Sequence, residues 1–326
     1  MAPVRIGLLS TAQINHAVLN PAAASDSADV VAVASRDAAR AQAYAREHGI
    51  ERAYGSYSKL LADPGVEAVY ISLPNSMHVE WTLRALEAGK HVLCEKPFDR
   101  HAEAVARCFD TAEAAGLVLM EAFMYRHHPQ TKRLSELLSE GAIGELRLVR
   151  AIFDAPMSDP ADFRFDPELG DGGAMMDVGC YCVSGIRLVA GEPEVVSGEQ
   201  VLGATGVDLR FAGWLRFPGD VLATFDCGFL LPYRQRLEAV GTEGSLLVAM
   251  PWECSDPHVE LRRGENEPER IDVEDVDRYR AQLENFCAAV RGTEPPLLGR
   301  DDAVGQARTI EALYDSAERD ASVRLT

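Results

Sequence analysis

Lysine is scarce in this chain of 326 residues: Lys59, Lys90, Lys96 and Lys132 are the only four, and every other cationic side chain apart from histidine is arginine. Against 32 Lys and Arg stand 51 Asp and Glu, a formal net charge of −19, which excludes nucleic acid or an anionic membrane surface as the natural partner. No apolar run approaches the length of a membrane span. Met1-Ala2-Pro3 leads directly into the first strand and leaves no space for a signal peptide, so a cytoplasmic protein is expected. Cysteine pairs at zinc spacing are missing as well. The seven cysteines are odd in number and lie mostly in apolar runs, and Cys180-Tyr181-Cys182 is not a CxxC motif. They read as buried thiols in a reducing compartment, and no metal site is expected. There is no internal repeat and no low-complexity tail.

What is present is an ordinary globular composition, 47% hydrophobic and 25% charged, at a length that implies two domains. The first third alternates strand and helix. Strands are expected at Val4–Leu9, Val30–Ser35, Ala68–Leu73, His91–Glu95 and Val118–Phe123. Helices are expected at 11–24, 37–48, 56–62, 76–88 and 101–115. That order implies a doubly wound parallel sheet. After residue 122 the pattern changes to a helix at 129–140, a strand at 146–154, an irregular stretch at 156–173 and a helix at 173–189. Five further strands lie between 194 and 250, and two closing helices span 277–291 and 300–319. The fold class is therefore α/β: a Rossmann domain over 1–122, and an α+β domain over 123–326 with an open, mostly antiparallel sheet.

The turn after the first strand, Gly7-Leu8-Leu9-Ser10-Thr11-Ala12, fits the first and third positions of G-x-G-x-x-G/A, with Leu9 at the second. Ser10 and Thr11 would add hydroxyl donors beside a helix N-terminus, a setting suited to an anion. The second strand ends Ala34-Ser35-Arg36-Asp37, with Arg40 one helical turn on. A small hydroxyl followed by arginine suits the 2′-phosphate of NADP, because guanidinium binds phosphate through paired hydrogen bonds. Asp37, which could instead hold the ribose hydroxyl of NAD, is expected to cap the following helix. NADP is thus the expected cofactor, with NAD possible.

Val92-Leu93-Cys94-Glu95-Lys96-Pro97-Phe98 ends a strand on Glu-Lys-Pro and places an ammonium at the carboxyl edge of the sheet, where such folds bind ligands. In Gly172-Gly173-Ala174-Met175-Met176-Asp177-Val178-Gly179-Cys180-Tyr181, Asp177 and Tyr181 share one helical face. A free tyrosine, with a pKa of about 10, is too weakly acidic to serve as a base at neutral pH; a neighbouring ammonium corrects this by stabilising the phenolate.

Together these segments resemble the Gfo/Idh/MocA family of oxidoreductases. The resemblance rests on GLLSTA at 7–12, SLPNSMH at 72–78, CEKPF at 94–98, EAFMYRHHP at 121–129, GGAMMDVGCY at 172–181 and GTEG at 241–244. It implies a Rossmann domain followed by an α/β domain whose open sheet often mediates association, hence a homo-oligomer. It also implies a lysine that assists hydride transfer at a hydroxyl-bearing carbon. Many members carry histidine where this chain has Tyr181, which is similar to the branch of dimeric dihydrodiol dehydrogenases, NADP-dependent aldose 1-dehydrogenases and ketosugar reductases. Lys96, Tyr181 and Asp177 are the expected catalytic set. Gly7, Ser10, Thr11, Ala12, Ser35, Arg36, Arg40, Leu73, Pro74, Asn75, His78, Glu95, Lys96 and Arg126 are the expected cofactor contacts. Phe163 and Arg164 join Lys96, Asp177 and Tyr181 around a sugar or diol substrate. His127 and His128 read as structural. Two other classes stay open: a nicotinamide-dependent glycosidase and a non-catalytic NADP-binding sensor.

Overall fold

Val4-Arg5-Ile6-Gly7-Leu8-Leu9 exposes only Arg5, and a strand buried on both faces belongs inside a parallel sheet covered by helices. It is β1 (Val4–Leu9). With β2 (Ala28–Ala34), β3 (Arg52–Tyr54), β4 (Ala68–Ile71), β5 (His91–Glu95) and β6 (Leu119–Ala122) it forms a sheet in the order β3-β2-β1-β4-β5-β6, every pairing parallel. The order reverses between β1 and β4, the point where such sheets open a ligand crevice beyond their carboxyl ends. Gly7 is required within β1, since a Cβ there would lie 2.6 Å from a methyl of Leu60. The structure, a computed structural model, describes residues 2–170 and 172–325.

The doubly wound architecture expected from the sequence is present, with shifts at element ends. Asp37 caps helix Ala38–His48 by accepting from the amides of Ala39 and Arg40. The helix expected at 11–24 is a 3-10 turn, Gln13–Asn15, followed by His16–Ala23 with Pro21 inside. The three-residue β3 was not anticipated, because so short a strand carries no periodicity.

The chain divides into two compact units. The first comprises the residues through Asp99, Glu103–His127 and Asp277–Val304; the second comprises Arg100–Ala102, His128–Val276 and the residues from Gly305 on. The division therefore differs from a single cut after residue 122: Asp277–Val304, grouped with the second domain in the sequence reading, packs in the first unit. Arg291 shows why. Its guanidinium donates to both carboxylate oxygens of Glu67, at 3.0 and 3.2 Å, and to the carbonyls of Ala2 and Pro3. Arg5 donates to the same carboxylate through its amide and its Nε.

The second unit is built on nine strands. They are β7 (Leu146–Asp154), β8 (Val195–Leu202), β9 (Asp208–Phe217), β10 (Val221–Gly228), β11 (Arg234–Gly241), β12 (Gly244–Val248), β13 (His258–Arg263), β14 (Glu269–Asp272) and β15 (Val323–Arg324). The order is β14-β13-β12-β11-β7-β10-β9-β8-β15, antiparallel except for the β7–β10 pair. The last three strands escaped the sequence reading, being short and, in β14, charged.

Alternation puts Val149, Ala151, Phe211, Leu215, Phe225 and Leu237 inside, and leaves Trp214 and Leu222 exposed on the other face. Helix Cys180–Ala190 packs across β7, β10 and β11. Gly185 lets it approach, because a Cβ there would meet the buried Trp252 ring at 2.6 Å. By length and composition alone, Pro167–Ala190 is apolar enough to cross a bilayer, but 78% of its most apolar window is buried inside the protein, as befits a core helix. All seven cysteines are buried, and burial pushes Cys94, Cys182 and Cys227 well above the ordinary thiol range.

Glu67 yields a test of the returning segment. Hydrogen bonding from Arg291, foremost, holds its pKa at about 2, against 4.5 for a free glutamate. A depressed carboxylate contributes stability that is full above pH 4.5 and is lost as pH falls toward 2. Glu67→Gln should therefore cost about 1–2 kcal/mol at pH 7, after discounting for partial exposure, and the gap from wild type should close between pH 4.5 and 2 in urea unfolding.

Candidate functional site

At the carboxyl edge of the first sheet the turn after β1 is fixed from within. Ser10 Oγ lies 2.7 Å from Ser72 Oγ and accepts from the Ala12 amide at 2.9 Å. Ser72 in turn donates to Asn15 Oδ1, and Asn15 Nδ2 donates to the Ser10 carbonyl. Ser10, expected to turn its hydroxyl to a cofactor, thus turns it inward, because this closed ring of hydrogen bonds shapes the turn. Thr11 and Ala12 stay partly exposed.

At the end of β2, Ser35 is buried. Its amide donates to the Tyr54 carbonyl, and its hydroxyl accepts from the Asp37 amide at 3.2 Å. Arg36 and Arg40 are exposed, and the charges of both guanidiniums act on the phenol of Tyr57, whose pKa burial raises. With Asp37 engaged in its cap, the charge offered at this edge is positive, which fits a phosphate on the ribose rather than a free hydroxyl.

His78 sits between the loops that follow β4 and β5. It has no exposed surface. Its Nε2 lies 2.9 Å from the Leu73 carbonyl, and its Nδ1 lies 3.0 and 3.3 Å from those of Pro97 and Phe98. Expected both as a brace of the helix start and among the cofactor contacts, it stands between the segment Leu73–Asn75 and the residues after Lys96. Leu73 is buried, while Pro74 and Asn75 are partly exposed. Burial, foremost, depresses the His78 pKa, while the carbonyls on its two sides favour the charged ring.

Lys96 is held by its neighbours on the chain. Glu95 accepts from the Lys96 amide at 3.2 Å with one carboxylate oxygen and from the Tyr70 hydroxyl with the other. Burial and the adjacent Glu95 keep Tyr70 far above the ordinary phenol range, so it acts as a neutral donor. Tyr279, at the start of helix Arg278–Val290 and T-stacked on His16 at 5.7 Å, feels the charges of both Glu95 and Lys96. Arg126, expected near the nicotinamide, extends its guanidinium to Asp302 at 3.0 Å. Tyr57, Tyr70 and Tyr279 were not singled out in the sequence. Arg36 and Arg40 for Tyr57, Glu95 for Tyr70, and Glu95 with Lys96 for Tyr279 are remote in sequence, so no local pattern announces these meetings.

In the second unit Asp177 stands in a π-helical segment, Met175–Gly179, that runs into helix Cys180–Ala190 carrying Tyr181. The wider π turn replaces the purely α spacing expected for this pair; such turns occur often at functional sites. Asp208 fixes the segment's entry, its carboxylate accepting from the amides of Gly173 at 2.9 Å and Met175 at 2.6 Å and from the Tyr314 hydroxyl at 2.8 Å. Gly179 is required here, as a Cβ would fall 2.7 Å from the sulfurs of Cys227 and Met175. Arg164 Nε reaches Asp177 Oδ2 at 3.0 Å, so two of the expected substrate residues are brought together, and the guanidinium covers the Phe163 ring at 4.7 Å. The Tyr181 ring is buried, edge-on to Phe153 at 5.4 Å and 6.0 Å from Trp252.

His78 can be tested as a brace. His78→Gln keeps one donor and removes the titration. It should destabilise by about 1–3 kcal/mol at pH 7.5, with groups of Leu73, Pro97 and Phe98 left without their partner. A histidine with a depressed folded pKa gives stability that is full above 6.5 and declines as pH falls below it, so the difference in urea midpoint should shrink on acidification.

The chain is similar to known proteins over most of its length. Residues 4–123 match the family described as "Oxidoreductase family, NAD-binding Rossmann fold", and residues 131–247 match "GFO/IDH/MocA C-terminal domain". The chain is 41% identical to D-xylose 1-dehydrogenase (NADP(+)) 2 of Haloferax volcanii, over 98% of this chain and 99% of that protein. It is 39% identical to trans-1,2-dihydrobenzene-1,2-diol dehydrogenase of Oryctolagus cuniculus, over 69% and 68% of the two. Among solved structures, the 3-ketoreductase KijD10 of Actinomadura kijaniata, in complex with NADP and TDP-benzene, superposes with a TM-score of 0.90 at 32% identity, covering 96% of this chain and 98% of that one.

Proposed function

Because this chain belongs to the Gfo/Idh/MocA family of oxidoreductases, we propose that it is an NADP-dependent dehydrogenase of sugars or related diols, acting at C1 of an aldopyranose to give the lactone. The observation that carries the reading is the setting of Lys96. Glu95 and Tyr70 fix its backbone at the carboxyl edge of β5, next to a strand-order reversal where such sheets take ligands. Support for NADP comes from the end of β2, where Arg36 and Arg40 are offered while Asp37 caps its helix. The relative of 41% identity, whose name pairs D-xylose oxidation with NADP(+), points the same way.

The nicotinamide, when bound, supplies the hydride acceptor for oxidation or the donor for reduction. Tyr181 takes the proton of the substrate hydroxyl in oxidation and returns it in reduction. The ammonium of Lys96 stabilises the phenolate that this transfer creates. Asp177, oriented by Arg164, accepts a hydrogen bond from a neighbouring sugar hydroxyl, and Phe163 offers an apolar wall. Thr11, Ala12, Pro74 and Asn75 would hold the cofactor, with Gly7, Ser10, Leu73 and His78 shaping those loops from beneath.

Incubation with NADP⁺ and a panel of aldoses should give net NADPH absorbance. Free sugar released from a glycoside without net cofactor change would instead establish a glycosidase. Lys96→Ala and Tyr181→Phe should each lower kcat by roughly 10²- to 10⁴-fold while the Kd for NADPH stays within a few-fold. Activity unchanged in both would leave a cofactor-binding sensor. The exposed face of the nine-stranded sheet, with Trp214 and Leu222, supports self-association. Trp214→Asp should then reduce the mass seen in sedimentation velocity at micromolar protein.

A further inference from the structure

Tyr233, immediately before β11, is an aromatic side chain that the proposed chemistry leaves without a role, and it is 44% exposed. A lone exposed ring needs no explanation, but this one is held in place by its surroundings. Where β11 pairs with β7, Gln235 stands opposite Phe153, and Tyr233, two positions earlier, shares the face of Gln235. Its ring meets that of Phe153 edge to face, with centroids 6.3 Å apart and planes at 89°. Its hydroxyl accepts from Nε2 of Gln235. That amide has one orientation, because Oε1 of Gln235 accepts from the backbone amides of Trp252 and Glu253, at 2.9 and 3.2 Å. The next residue fixes the backbone: the Arg234 guanidinium donates to the buried Asp154 and to Asp226, at 2.8 Å each.

Two lines of contact carry this ring to the groups proposed to meet substrate. Phe153 is itself edge-on to Tyr181, the proposed proton carrier, at 5.4 Å and 76°. The segment leading to Tyr233 also runs beside the stretch that bears Phe163 and Arg164. There the amides of Ala155 and Met157 donate to the carbonyls of Gly228 and Phe229, at 3.0 and 2.9 Å, and the Phe229 ring meets Phe165 at 5.7 Å. A ring already fixed, with nearly half its surface open, loses little side-chain entropy when a ligand covers it. A pyranose suits such a surface: the C–H bonds on one side of the sugar ring form an apolar face that packs on the electron-rich face of an aromatic. We propose that Tyr233 is a specificity-determining residue, the platform on which the pyranose ring lies while Tyr181 and Asp177 address its hydroxyls. The proposal rests on the reading of this protein as an aldopyranose dehydrogenase and assigns part of its substrate affinity to one side chain.

The test is steady-state oxidation of the aldose panel by the purified full-length protein with NADP⁺, alongside titration with NADPH. Tyr233→Ala should raise KM for the aldopyranoses about 5- to 30-fold, hold kcat within about 3-fold and leave the Kd for NADPH unchanged. Tyr233→Leu, which keeps apolar bulk without a π face, should also raise KM. Tyr233→Phe keeps the ring, removes the hydroxyl and should stay within about 3-fold of wild type. Melting temperatures of the three variants check the fold. Unchanged KM in both Tyr233→Ala and Tyr233→Leu, or a fall in kcat and NADPH affinity at constant KM, overturns the inference while wild-type oxidation of aldoses upholds the function. A wild type that oxidises no aldose overturns the aldopyranose reading, and the inference with it.

Discussion

A buried imidazole lies between the two loops on which the proposed chemistry depends. His78 faces the Leu73 carbonyl on one side and the Pro97 and Phe98 carbonyls on the other. Those loops leave adjacent parallel strands, and parallel strands give them no ladder in common once the strands end. A single buried ring therefore does what backbone pairing does elsewhere in the sheet.

The second unit solves a similar problem with a carboxylate. A helix that begins on a glycine pair and runs through a π turn has amides that its own geometry does not satisfy. Asp208 takes two of them, and Tyr314 anchors Asp208 from helix Arg300–Arg319. The glycines at 173, 179 and 185 share one cause, close approach to Asp208, Cys227 and Trp252 respectively. What reads in sequence as a motif around Asp177 and Tyr181 is in large part the packing requirement of a helix laid closely on a sheet.

Features carried by local pattern were legible. The buried strands of the first unit, the Asp37 cap and the strands β7 and β11 could be read because periodicity and capping act within a few residues. The apparent ambiguity at Asp37, acid for a ribose or cap for a helix, is decided by two backbone amides that only the fold displays. Residues linked across the sheet were illegible. Ser10 carries a hydroxyl in the right place for an anion, and only Ser72, brought alongside by β4, shows that it bonds inward. His78 reads in the sequence both as a brace of the helix start and as a cofactor contact, and its three carbonyl partners leave no trace there. The short edge strands β14 and β15 gain their pairing from neighbours rather than from their own composition.

The return of Asp277–Val304 to the first unit sets an order for biosynthesis. A ribosome releases the six parallel strands early, but the helix that carries Arg291 and clasps Glu67 emerges only when nine-tenths of the polypeptide has been made. The nucleotide-binding half thus stays unfinished while the interposed half is being translated, and a nascent chain stalled short of residue 304 lacks part of both.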